Sequence, residues 1–80
     1  MTAREQYDTI FRRNLMLSEE EELKNRDMLN VPCWNSVEHF MMISELENVF
    51  SLTLNEEEMM DFTSYRKGLE ILANHGVRVE

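Results

Sequence analysis

Cysteine, proline and tryptophan each occur once in the 80 residues, and glycine only twice. A lone cysteine, Cys33, cannot form an internal disulfide. Gly68 and Gly76 stand too far apart to build a glycine-rich phosphate loop. No apolar run approaches the roughly 18 residues of a membrane span, and the segment Met1 to Asp8 is too polar for a secretory signal, so a reducing cytosol is expected. Basic residues are scarce as well, eight against sixteen acidic, for a formal net charge of −8. That imbalance argues against nucleic acid and anionic membranes as partners and favours basic protein surfaces. Residues 1–80 suffice for one small domain, expected to be monomeric, which buries about 60% of the surface its unfolded chain exposes. That leaves little to line a large catalytic cleft as well as a core.

What is present is helical. Thr2 with Glu5 three residues on reads as a capping box, and Tyr7, Ile10, Phe11 and Leu15 form an apolar stripe, which predicts a first helix over residues 3–15. Arg4, Arg12 and Arg13 on it are placed to offset acidic faces elsewhere, each exposed pair contributing at most about 1 kcal/mol. Residues 16–34 read as a long connection, pinned across the helices by Leu23, Met28, Leu29 and Val31. Its acidic run, Ser18 to Glu22, lacks the alternating ligand spacing of a calcium loop and reads as a solvated face, so no metal site is expected. Pro32 disfavours helix in the residue before it, and Asn35 and Ser36 are both good caps, so the second helix begins at one of them. Val37, Phe40, Ile43, Leu46 and Phe50, with Met41, Met42 and Val49 beside them, are the expected core face of that helix.

Beyond Phe50, Ser51 to Leu54 reads as a turn with two buried leucines, and Asn55 caps a brief helix, Glu56 to Asp61. A last helix opens at Thr63 or Ser64, turns Tyr65, Leu69 and Leu72 inward and closes at Gly76, leaving Val77 to Glu80 as a frayed tail. Gly68 inside it weakens the helix by about 1 kcal/mol relative to alanine and marks close helix packing. The fold class is therefore all-α: a small four-helix bundle, three helices longer and one short, with a long loop between the first two. No strand and no internal repeat are expected.

The chemical candidates centre on Ser36. A serine at a helix start can be an ordinary cap, or its hydroxyl can carry a phosphate against the positive end of the helix, where Glu38 in the first turn also suits the dipole. His39 lies one turn further on, but no third residue that would orient it for a Ser-His pair can be identified, so it reads as an exposed helix residue and no catalytic residue is expected. Cys33 has no basic flank to activate it and reads as a hinge or partly buried thiol rather than a nucleophile. His75 lies beside the glycine that ends the last helix. Met41, Met42, Met59 and Met60 read as an adaptable core.

Four segments carry a likeness that covers nearly the whole chain: W-N-S-V at 34–37, S-E-L-E-N-V-F at 44–50, S-L-T-L-N-E-E-E at 51–58 and F-T-S-Y at 62–65. On these the sequence resembles the acyl carrier proteins, small acidic helical carriers of acyl or aminoacyl groups. The resemblance implies a non-enzymatic carrier with 4′-phosphopantetheine covalently attached to Ser36 and cargo held on it as a thioester. It implies as partners a phosphopantetheinyl transferase working with Mg²⁺, an acyl- or aminoacyl-loading ligase, and a downstream synthase or acyltransferase. These would read a face made of Asn35, Val37, Glu38, Met41, Glu45 and Glu47. Asn35 stands where the family usually has aspartate, and Ser44 and Asn48 thin the acidic character of the second helix. Trp34 before the motif is more like discrete carriers of specialised pathways, such as polyketide, aminoacyl or surface-glycan acylation, than the housekeeping fatty-acid carrier. The rival reading is an acidic helical adaptor with the same fold that is never modified.

Overall fold

The computed structural model describes residues 2–79, and Met1 and Glu80 lie outside that range. Four helices follow one another along the chain: α1 (Ala3–Leu15), α2 (Ser36–Phe50), α3 (Glu56–Asp61) and α4 (Tyr65–Asn74). Among the described residues there is no strand, only an isolated antiparallel bridge between Asp27 and Ser64. The small four-helix bundle expected from the sequence is therefore the one observed.

Each helix begins where a side chain can satisfy its orphan amides. Thr2 and Glu5 form the predicted capping box on α1, and Asn55 with Glu58 forms another on α3. Ser64, not Thr63, caps α4 through the Lys67 amide. At the far end of α4 His75 is the C-cap. Gly76 follows at φ 83°, its N–H on the Ala73 carbonyl and that of Val77 on Leu72. These two bonds make a Schellman motif, which explains the glycine.

Tyr7, Ile10, Phe11 and Leu15 of α1 are buried, as their spacing predicted. They meet Trp34, Phe62 and Tyr65 in an aromatic centre, with Phe11 edge-on to both Trp34 and Tyr65. The Tyr7 hydroxyl donates to the Tyr65 carbonyl at 2.8 Å, and the Tyr65 hydroxyl donates to Asp8 at 2.5 Å. Burial, with the Asp8 carboxylate next, pushes the Tyr65 hydroxyl up to about 12. Gly68 of α4 is buried, and a Cβ there would meet the Tyr7 hydroxyl and the Phe62 ring, so the helices do approach closely at this glycine.

The loop from Met16 to Asn35 is tied down at several points. Arg12 donates to the carbonyls of Ser18, Glu19 and Glu21, which holds the start of the acidic run against the end of α1. Leu23, Val31 and Trp34 enter the core, and the Met28 and Tyr65 amides bond to Thr63 and Arg26 across to the start of α4. Met28 and Leu29 were expected to pin the loop too. Instead Leu29 is 98% exposed and Met28 lies at the surface, because the turn there is fixed by Asp27 accepting from the Leu29 and Asn30 amides.

Other expectations need correction. Of the four methionines assigned to the core, Met42 is fully buried and Met59 packs partly against it, whereas Met41 and Met60 are exposed. Leu54 is buried but Leu52 only partly, and Ile71 joins Tyr65 and Leu72 inside while Leu69 packs at the core's margin. Val77 and Val79 lie against the core, so the described part of the tail is docked. The Schellman turn directs the chain back over apolar surface, which glycine and two valines make favourable.

Candidate functional site

The site is built where the loop becomes α2. Trp34 N–H bonds to the Val31 carbonyl and Asn35 N–H to Cys33, a pair of tight turns after Pro32. Asn35 is then extended, and its side-chain oxygen accepts from the Val37 amide at 3.0 Å and the Glu38 amide at 3.1 Å. Asn35 is thus the cap, and Ser36 is the first residue of the helix, exposed. No partner of the Ser36 hydroxyl is found among the described residues. Asn35 takes two of the amides that open α2, leaving the amide of Ser36 itself and the helix dipole at this end.

The face of α2 differs from the one its apolar spacing suggested. His39, Met42, Ile43 and Leu46 are buried, with Phe50 partly so. Val37 is 63% exposed, Phe40 and Met41 each 55%, and Val49 lies at the surface too. The helix is rotated so that Val37, Phe40 and Met41 form an apolar patch one turn deep beside Ser36.

His39, expected outside, is inside. Its Nδ1 accepts from the Trp34 indole N–H at 3.0 Å, and its Nε2 lies 2.8 Å from the Met59 carbonyl of α3. Among the described residues no buried side-chain nitrogen or oxygen lacks a partner, so this imidazole carries no penalty for an unmet bond.

The acids singled out on α2 have different situations. Glu38 is half-buried in the first turn. Glu45 pairs with Arg13 and accepts from Asn14, joining α2 to α1. Glu47 accepts the Leu54 amide at 2.8 Å and so holds the turn after α2. The Cys33 thiol, half-buried, lies 3.6 Å from the Met16 sulfur. His75 meets Glu58 of α3 at 2.8 Å. Hydrogen bonding from the Asn55 backbone, and after it His75, holds the Glu58 carboxyl below the usual range. Phe40 is the exposed residue missing from the sequence-derived face, and the buried Trp34 holds the turn before α2. The apolar spacing of α2 placed Phe40 inside, and Trp34 was noticed only as a neighbour of the motif.

Among solved structures, a Mycobacterium tuberculosis chain assigned as an acyl carrier protein superposes with a TM-score of 0.77 over 90% of this chain and 96% of its own, at 17% identity. The fold is the acyl carrier protein fold. Sequence comparison adds nothing to it: no family model matches, and no curated protein matches. The fold is thus shared at 17% identity, and in this chain the second helix opens on an exposed Ser36. No helix among the described residues is long and apolar enough to cross a membrane.

Proposed function

We propose that the chain is an acyl or aminoacyl carrier whose Ser36 holds 4′-phosphopantetheine. The observation that carries this is a serine hydroxyl, exposed and free of capping duty, at the first position of a helix within the carrier fold. Asn35 does the capping, so modification of Ser36 would leave the helix start intact. In the loading reaction a transferase with Mg²⁺ takes the Ser36 proton, and the oxygen attacks the pyrophosphate of coenzyme A. A new phosphorus–oxygen bond forms, the anhydride bond breaks, and adenosine 3′,5′-bisphosphate leaves. When attached, the arm supplies a terminal thiol on which cargo is held as a thioester. A phosphodiester at Ser36 would sit at the positive end of the α2 dipole.

The protein's own part is presentation. Val37 and Met41, with Phe40 beside them, offer partners an apolar centre next to Ser36, while Asn35 and Glu38 offer polar edges. Glu45 and Glu47 lie further along α2, where they serve the fold and add to the negative field that steers basic partners. We place the chain in a specialised pathway, with a loading ligase and an acyltransferase or synthase as partners, because of Trp34 and Asn35.

Intact-protein mass measurement after incubation with coenzyme A, Mg²⁺ and a broad-specificity transferase tests this beside Ser36→Ala. The expected result is the mass of one phosphopantetheine on the wild type and none on the variant. Absence of any gain, on wild type and on Asn35→Asp alike, would overturn the carrier reading in favour of an unmodified adaptor that uses the same apolar face. A gain on Asn35→Asp alone would assign the failure to transferase choice.

A further inference from the structure

We propose that His39 is a positioning residue for Ser36, a neutral imidazole that ties the turn before Ser36 to the last turn of α3. The first step is the proton's location. The Trp34 indole N–H can only donate, so His39 Nδ1 must carry a lone pair; the Met59 carbonyl can only accept, so Nε2 must carry the hydrogen. One tautomer satisfies both bonds, and an imidazolium would set an Nδ1–H against the indole N–H.

The two partners are those whose position matters most for Ser36. Trp34 lies two residues before it, is 5% exposed and packs against Phe11 and Phe62, so its indole anchors the turn from which Asn35 caps α2. Met59 is in the last turn of α3, where carbonyls have no intrahelical partner, and the Thr63 amide that could have served it bonds to Asp61 instead. His39 therefore caps α3 from the side. That helix has six residues and no fully buried side chain, a length that is marginal without tertiary contacts. Its other polar tether is Glu58 to His75 beyond the end of α4. Through His39, the Trp34 turn, the first turn of α2 and the end of α3 form one body, and the patch beside Ser36 is held in a fixed relation to α3.

The test has three arms, and only the last, the transferase assay, rests on the carrier reading. Nitrogen-15 shifts of the His39 imidazole in the wild type should report the Nε2–H tautomer. His39→Phe keeps an aromatic ring in place and removes both bonds. It should speed amide exchange in α3 by roughly tenfold while leaving α1 protected, and should shift the emission of Trp34, the single tryptophan. In the transferase assay His39→Phe should raise KM for the carrier by roughly fivefold with kcat unchanged, as expected when a loosened segment must be ordered on binding. His39→Gln, whose amide can accept from the indole and donate to the carbonyl, should recover part of both effects. His75→Ala loosens α3 without touching Trp34 and should speed α3 exchange while raising KM by less than His39→Phe does.

An Nδ1–H tautomer would overturn the relay, as would wild-type KM and α3 exchange in His39→Phe with only a lowered melting temperature. If His39→Phe does not fold, Trp34→Phe, which removes the indole N–H together with part of the buried ring but keeps the His39–Met59 bond, should raise KM likewise while α3 exchange stays near the wild type, and a wild-type KM in that variant would overturn the relay. If neither the wild type nor Asn35→Asp accepts phosphopantetheine the carrier reading fails, and the tautomer and exchange arms still decide the relay.

Discussion

Gly68 shows how a single residue is chosen by its neighbours. In an exposed helix, glycine to alanine gains about 1 kcal/mol. Here the added Cβ would meet the Tyr7 hydroxyl and the Phe62 ring. Tyr7 is held by its bond to the Tyr65 carbonyl, and both rings are fully buried, so neither withdraws freely. Overpacking of this kind costs about 1–3 kcal/mol, which outweighs the helix gain. Gly68→Ala is therefore expected to lower the urea midpoint, by the equivalent of up to about 2 kcal/mol. A midpoint at or above the wild type would mean that Tyr7 and Phe62 shift at no cost. Asn35 and Ser36 divide labour in the same local way: one residue caps, and the other keeps its hydroxyl exposed at the first position of the helix.

At the scale of elements, α3 is the weakest piece, and polar groups hold it. Its capping acid, Glu58, is kept below the ordinary carboxylate value of 4.5, first by the Asn55 backbone and then by His75. The Glu5 and Glu21 carboxyls are lowered likewise by the backbones of Thr2 and Ser18. A carboxyl lowered in the folded state contributes stability that is complete above its unfolded value and lost as pH falls through its folded one. The helix starts should accordingly weaken in acid. Glu58→Gln keeps a capping side chain and removes the charge. It should melt below the wild type at neutral pH, and the two curves should converge as pH drops beneath 4.5. Thermal melting by circular dichroism across pH checks this, and a gap that stays constant into acid would count against it.

For the whole molecule, charge sets the response to salt. Sixteen acids face eight bases, and the ion pairs among the described residues, such as Arg13 with Glu45 and Arg4 with Asp8, leave many acids without one. The molecule measures 28 × 27 × 18 Å. At about 0.01 M salt the screening length is roughly 30 Å, so every acid feels every other; near 0.15 M it is roughly 8 Å and only close neighbours interact. The melting temperature should therefore rise between those conditions, and binding of a basic partner should weaken over the same range. A flat melting temperature would show that the arginines already compensate the acids locally.

The four helices and the place of Ser36 were legible because they rest on local signals. Thr2, Asn35, Asn55 and Ser64 are caps that act within three residues, and the α1 stripe has a single apolar face to bury. What α2 buries was not legible. Val37, Phe40, Met41, Met42 and Ile43 make its first half apolar on nearly every side, so two registers read equally well, and counting His39 as polar selected the wrong one. The tertiary structure decided otherwise. An indole N–H five residues back and a carbonyl 20 residues on, each needing a partner in the interior, meet the two nitrogens of that imidazole. By itself the sequence determined where each helix starts, since capping is a contact between near neighbours. Which side α2 turns inward depends on groups distant in the chain, and only the assembled core brings them together.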